Sequence, residues 1–405
     1  MNENSSIKSA QPLKGIRVAD LSRILAGPSC TQLLGDLGAD IIKVERKGVG
    51  DDTRQWGPPF VKATEGPSTE SAYYLSANRN KRSIETNFAD PKDLATLREL
   101  LSTCDVVIEN FKPGGLKKFG LDYDQLSDSF PHLVWCSISG FGQTGPNAHR
   151  PGYDLLAQGF GGLMSITGEE NGDPMKVGVG ITDLCTGLHA AVAILAALRY
   201  RENGGEGQRI DLSLADVQMA MLANQGTNYL VSGKSPTRQG NQHPNIAPYQ
   251  VFEVSDGHVI VAVGNDDQFG RFCDLIGRPD LAVDYCYQTN ELRVRHRESL
   301  ARKLSRELSK IKKQTLLDGM EKNGIPGGPI NTVEEVLESD QSHAREMVIS
   351  LPQPKAKAGI VRMLGNPIKL SKTPVQYLRP PPLRGEHTED VLHEMRALNR
   401  NEATE

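Results

Sequence analysis

Ile16-Arg-Val-Ala-Asp-Leu21, an amphipathic run over residues 28–37, and Asp40-Ile-Ile-Lys-Val-Glu45 decide how this chain folds. Two short apolar, β-branched runs flank a segment of helical periodicity. Strands that are apolar along most of their length are covered on both faces, the condition of a parallel sheet joined by helical crossovers. The alternation continues outward. Lys81-Arg-Ser-Ile-Glu-Thr86 reads as a strand, and residues 91–103 as a helix with Asp90 as N-cap and Pro91 at its first position. Residues 105–110 and 133–138 read as further strands. The expected class is α/β, with a Rossmann-like, doubly wound large domain and a smaller α+β domain.

The spacing changes beyond about residue 200. Gln208-Arg-Ile-Asp-Leu-Ser-Leu214 predicts a strand and residues 215–230 one long helix. Tyr249-Gln-Val-Phe-Glu-Val and His258-Val-Ile-Val-Ala-Val263, joined through Ser-Asp-Gly, predict a β-hairpin. Helices are expected over 267–276 and 297–322. The remainder is turn-rich, with Gly324-Ile-Pro-Gly-Gly-Pro329 and Pro380-Pro-Pro382, until a last helix begins near Thr388. The expected boundaries are 12–200 for the first part of the large domain, 201–224 for a linker helix region and 225–330 for the small domain. Residues 331–405 are expected to return to the large domain.

Composition limits the function. A net charge of -4 gives no electrostatic reason to bind nucleic acid or an acidic membrane. Forty glycines in 405 residues, about 10% against a usual ~7%, imply many tight turns and close backbone approaches. The six cysteines have no CxxC and no regular spacing, which suits reduced thiols in a cytoplasmic protein. The first residues, Met1-Asn-Glu-Asn-Ser-Ser-Ile-Lys8, carry no signal or transit pattern, and the most apolar run, 190–198, is short for a membrane span.

Several motifs fail on spacing. Gly27, Gly35 and Gly38 follow the first strand without forming G-x-G-x-x-G, which removes the nicotinamide dinucleotide cradle. Gly233-Lys234-Ser235 imitates a P-loop, but position 228, where its first glycine belongs, is Asn. There is no G-x-S-x-G or H-E-x-x-H, and no metal-ligand spacing among the histidines. Asp183 stands before the most helix-like run in the chain, 184–202. Its plain reading is an N-cap; its chemical reading is a nucleophilic carboxylate that the helix N-terminus keeps ionised. Asp154, after Arg150-Pro-Gly-Tyr153, opens a glycine-rich segment and is on its own a turn residue.

The motifs that remain occur together in one order: Leu25-Ala-Gly-Pro28, Gly38-Ala-Asp-Ile-Ile-Lys-Val-Glu-Arg46, Gly50-Asp-Asp-Thr-Arg54, Asn80-Lys-Arg-Ser83, Glu109-Asn-Phe-Lys-Pro-Gly114, Gly140-Phe-Gly-Gln-Thr-Gly-Pro146, Gly152-Tyr-Asp154 and Asp183-Leu-Cys-Thr-Gly187. With these the chain resembles the class III CoA-transferases along nearly its whole length, from Pro12 to Thr388. The resemblance implies an interlocked homodimer that binds an acyl-CoA and a small carboxylic acid, with no permanently bound cofactor and no metal. It implies that Asp183 attacks the thioester and passes CoA on through an aspartyl intermediate. Leu25, Ala26, Arg46, Thr86, Asn87, Asn110 and Lys118 fall on the family's CoA-contacting positions.

The racemase branch has a histidine thirty residues before the aspartate, where this chain has Tyr153, a poor general base at neutral pH. That favours transfer over racemisation. A non-catalytic CoA-binding protein is the alternative outside enzymes. Gln239-Gly-Asn-Gln-His243 stands where oxalate enzymes have a run of glycines. Other segments, such as Trp56-Gly-Pro-Pro-Phe60, are similar to succinyl-CoA:dicarboxylate members. Tyr153, Asp154, Arg54, Arg150, Arg238, Gln242 and His243 are therefore the candidate substrate-binding residues, the arginines as bidentate partners for a distal carboxylate.

Overall fold

The computed structural model describes residues 11–66 and 70–402, with side chains to residue 397; the N-terminal segment 1–8 read above lies outside them. Six parallel strands form the main sheet: β1 (Arg17–Asp20), β2 (Asp40–Arg46), β3 (Lys81–Thr86), β4 (Val106–Glu109), β5 (Val134–Ser139) and β6 (Arg209–Ser213). Their order is β3-β2-β1-β4-β5-β6. Pairs such as Val18 with Ile41 and with Val106 fix the register at the centre. Those strands alternate sides, so Val18, Val106 and Val134 enter one apolar cluster and Ala19, Val107 and Trp135 the other. A sheet buried on both faces is what the near-continuous apolar runs required.

Helices α1 (Ala26–Asp36), α2 (Pro91–Ser102), α3 (Asp154–Phe160) and α4 (Ile181–Glu202) supply much of the cover. Asp90 caps α2 through the Lys92 N–H, and Pro91 stands in its first turn, as the sequence predicted. α4 packs closely on α1: a Cβ at Gly187 would meet the Ala26 carbonyl oxygen at 2.7 Å. Ala190, Ile194 and Ala197 of α4 bury with Ala26, Cys30 and Leu34 of α1. By length and composition α4 is long and apolar enough to cross a membrane, which corrects the short run read at 190–198. Half of its most apolar window is buried within this chain.

The chain divides into two compact units. One takes the described residues of Met1–Gly161, Val177–Met221 and Asp340–Glu405; the other takes Gly162–Lys176 and Leu222–Ser339. The stretch 201–224 is no linker, since it supplies β6 and the helix Leu214–Ala220. The single helix expected over 215–230 is two, broken before Ala223–Ser232, where Ala223 has a φ of +46°. The one expected over 297–322 is likewise two, Arg297–Leu308 and Lys313–Lys322.

In the second unit, β7 (Tyr249–Val254) and β8 (Gly257–Ala262) form the predicted hairpin, and β9 (Gly327–Pro329) adds a third strand. Phe252, Val259, Val261, Phe269 and Phe272 centre its core. The C-terminal stretch returns to the first unit through polar ties. Buried Asp36 takes Arg79 as a bidentate partner at 2.9 and 2.6 Å and the Asn366 amide at 2.8 Å. Asn80 donates to the Gln376 carbonyl and accepts from the Leu378 N–H. Those parts of the stretch that lie outside any strand need such bonds for their backbone. A hairpin that the sequence reading did not find, β10 (Val348–Pro352) with β11 (Ile360–Leu364), lies within it.

Candidate active site

In an open parallel sheet, the loops after β1 and β4 leave toward opposite faces, and a crevice opens at the carboxyl ends of the strands. A cavity of about 740 Å³ occurs there, within the first unit. It is lined by the segment after β1 (residues 21–26), the ends of β2 and β3, residues 110–113 after β4, residues 138–140 at the end of β5, residues 150–153, and Asp183.

Two glycines bring Asp154 to this edge. Gly140 and Gly152 are so close that a Cβ on either would collide with the backbone of the other. The loop after β5 therefore closes on itself and hands the chain directly to α3. From the start of α3, the Asp154 carboxylate accepts from the Thr182 and Asp183 N–H groups at 2.8 and 3.1 Å, and from the Gln158 amide at 2.6 Å. Gln158 in turn accepts from the Val177 N–H, and the Thr182 hydroxyl bonds Gln218. Asp154 is thus the cap of α4, supplied from outside the helix.

Asp183 is not the N-cap: α4 begins at Ile181, with Gly180 at the cap position and no cap from its own side chains. Its carboxylate is free of that duty and lines the cavity. The expectation that the helix terminus keeps it readily ionised is also corrected. Burial first, and then the neighbouring Asp154 charge, push its pKa up to about 7. Tyr73, which sequence reasoning missed, has its phenol pushed up to about 12 by burial and by the Asp183, Asp154 and Asp51 carboxylates. Its ring meets Trp56, a lining residue, edge-on at 5.2 Å. No spacing in the sequence links Tyr73 to Asp183.

Of the expected CoA-contacting residues, Leu25, Ala26, Arg46, Thr86, Asn87, Asn110 and Lys118 all line this cavity. Leu25 and Ala26 stand at the N-terminus of α1, which has no side-chain cap and no acid in its first turn. Among the described residues, no carboxylate pairs with Arg46, Lys112, Lys118 or Arg150, whereas Arg17, Arg79 and Arg82 elsewhere in the unit are paired. Phe88 packs on Phe111 and Phe119 at 6.1 and 5.5 Å, giving the same end an aromatic wall. Uncompensated cations beside aromatics suit a phosphorylated, aromatic ligand.

The expected substrate-binding residues fare unevenly. Tyr153, 60% exposed, and Arg150 line the cavity. Arg54 does not serve as a grip. It is buried, with Glu45 as bidentate partner at 2.8 and 2.6 Å, Glu70 at 2.6 Å and Tyr74 at 2.7 Å, so every face of its guanidinium is used. Arg238, Gln242 and His243 belong to the other unit. There Arg238 donates to the Glu169 and Gly172 carbonyls and holds their loop, and His243 packs on Tyr249 at 5.2 Å. Gln242 lines a shallow recess with His243.

The chain is similar to known proteins over nearly its whole length. The model of CoA-transferase family III matches residues 13–388. A succinate–glutarate CoA-transferase of Agrobacterium fabrum is 49% identical, over 96% of this chain and 97% of its own. The succinyl-CoA:glutarate CoA-transferase of Homo sapiens is 44% identical, over 96% and 87%. A crystal structure of a CAIB/BAIF family protein from Brucella suis superposes with a TM-score of 0.83 at 46% identity, covering 95% of this chain and 99% of that one. The chain belongs to CoA-transferase family III, and it is an enzyme that transfers CoA.

Proposed function

We propose that this enzyme moves CoA from succinyl-CoA to a small dicarboxylic acid through covalent intermediates on Asp183. The observation that carries the reading is the Asp183 carboxyl itself, half-buried at the cavity wall with a pKa raised to about 7. A carboxylate disfavoured in its charged form gains from becoming a neutral acyl group. Asp183 attacks the thioester carbonyl, the C–S bond breaks, and a mixed anhydride and CoA thiolate result. The thiolate attacks the Asp183 carbonyl, releasing succinate and leaving an aspartyl-CoA thioester. The acceptor carboxylate displaces CoA thiolate again, and the thiolate then takes the acceptor acyl group and frees Asp183. Every intermediate is an activated acyl species, so the thioester free energy is not lost.

The other lining residues are assigned roles by their chemistry. Arg46, Lys112 and Lys118 face the phosphates, with Thr86, Asn87 and the Phe88 cluster on the adenine side; Leu25 and Ala26 line the path toward Asp183. Asp154 fixes the helix terminus that carries the nucleophile. None of the lining residues is a histidine, which supports transfer over racemisation. The dicarboxylate class is supported by the relatives from Agrobacterium fabrum and Homo sapiens. A homodimer is supported by apolar side chains left exposed on α3 and α4, among them Leu155, Leu156, Leu188 and Val192.

A matrix of acyl-CoA donors against mono- and dicarboxylic acceptors, with products read by mass, tests the assignment. Succinyl-CoA with four- to six-carbon dicarboxylates should exceed monocarboxylates by at least about tenfold, the discrimination given by one well-placed charged contact. Equal rates with monocarboxylates would remove the dicarboxylate assignment. Absence of exchange with every pair would remove the proposed reaction.

A further inference from the structure

The segment between β1 and α1 is held in a conformation its sequence resists. Ile24 has a φ of +74°, a region that a β-branched residue rarely adopts. The residues around it are fixed group by group from separate elements. The Ser22 N–H donates to Asp20 at 3.0 Å, and the Ser22 carbonyl accepts from Lys43 Nζ at 3.1 Å. The Arg23 N–H donates to Asn110 Oδ1 at 3.0 Å, while Asn110 Nδ2 donates back to the Arg23 carbonyl at 2.7 Å. The Ile24 N–H donates to Asp51 Oδ1 at 3.3 Å. Lys43 and Asp51 are themselves paired at 2.8 Å with side chains 1% exposed.

Every one of these bonds to the backbone of Ser22, Arg23 and Ile24 falls on a segment that is a wall of the cavity. We infer that Asn110, with the buried Lys43–Asp51 pair, is a clamp that keeps the Ile24 turn in its left-handed form, and thereby sets the position of Leu25, Ala26 and the start of α1 against the bound CoA thioester. The inference rests on the CoA reading of the cavity and changes one part of it. Asn110 ties both ends of its amide to the Arg23 backbone, so the lining residue acts as a positioning residue for the turn. Lys43 and Asp51 join it, although neither was a candidate on sequence grounds.

Glycine takes a positive φ without strain, so Ile24→Gly should make the clamp less necessary. Binding of free CoA is measured by calorimetry, which does not depend on transfer, for wild type, Asn110→Ala, Ile24→Gly and the double variant. Asn110→Ala should weaken CoA binding about tenfold, as expected for losing two hydrogen bonds that hold the turn. In the Ile24→Gly background the same change should cost no more than about twofold. The same cycle with Asp51→Asn, which keeps the buried shape, should show the same reduction. Equal penalties in both backgrounds, or no penalty from Asn110→Ala, would overturn the clamp and leave the transferase reading intact. A wild-type protein that does not bind CoA would instead remove the reading of the cavity itself.

Discussion

At the scale of single residues, the two aspartates divide their work by geometry. Asp154 satisfies two orphan N–H groups of α4, and Asp183, relieved of capping, faces the cavity. Burial and the Asp154 charge place the Asp183 pKa at about 7, so kcat/KM should rise with pH through that value. Asp154→Asn keeps the accepting oxygen but removes the neighbouring charge, and should move this limb to lower pH; a limb that stays fixed would show that Asp154 does not act on the nucleophile. The same shift has a consequence for folding. A carboxyl whose folded pKa is raised costs nothing below its unfolded value near 4. Its cost accumulates from there up to about pH 7 and then stays constant. Asp183→Asn should therefore raise Tm more at pH 8 than at pH 5. Arg54→Ala should act on stability, because it strands the Glu45 and Glu70 carboxylates; a loss of about 3–5 kcal/mol in denaturant unfolding is expected.

At the scale of elements, the strands and the capped helix α2 were legible because each carries its own signal: an apolar run, or Asp90 followed by Pro91. Breaks inside apolar runs were not, because the +46° φ at Ala223 falls on an ordinary helix former and leaves no mark in periodicity. Asp183 was legible as an acid at the start of a helix, and the fold puts it on the cavity wall. Its environment was not, since the cap that frees it comes from α3, and Arg54 looked available until the chain folded around it. The close contact of α1 with α4 depends on Gly187, whose added Cβ would strike the Ala26 carbonyl. Gly187→Val should lower stability by about 1–3 kcal/mol, and should reduce activity because both helices end at the cavity.

At the scale of the whole molecule, sheet order explains where the chemistry sits. With β1 and β4 adjacent and their loops diverging, the crevice at their carboxyl ends receives residues from all six strands' loops, from residue 21 to Leu214. No short motif states that order, since strand adjacency is decided by how the crossovers pack. The apolar side chains left exposed on α3 and α4 belong to this scale too. Light scattering should give the mass of two chains, and Val192→Glu, placed where the side chain is 68% exposed, should shift it toward one. The proposed transfer runs through a covalent step at one carboxylate, Asp183. Incubation with succinyl-CoA, hydroxylamine quenching and peptide mass mapping should find Asp183 converted to its hydroxamate in wild type and unmodified without donor. Unmodified Asp183 under turnover, or an Asp183→Ala variant that exchanges labelled CoA as fast as wild type, would contradict it.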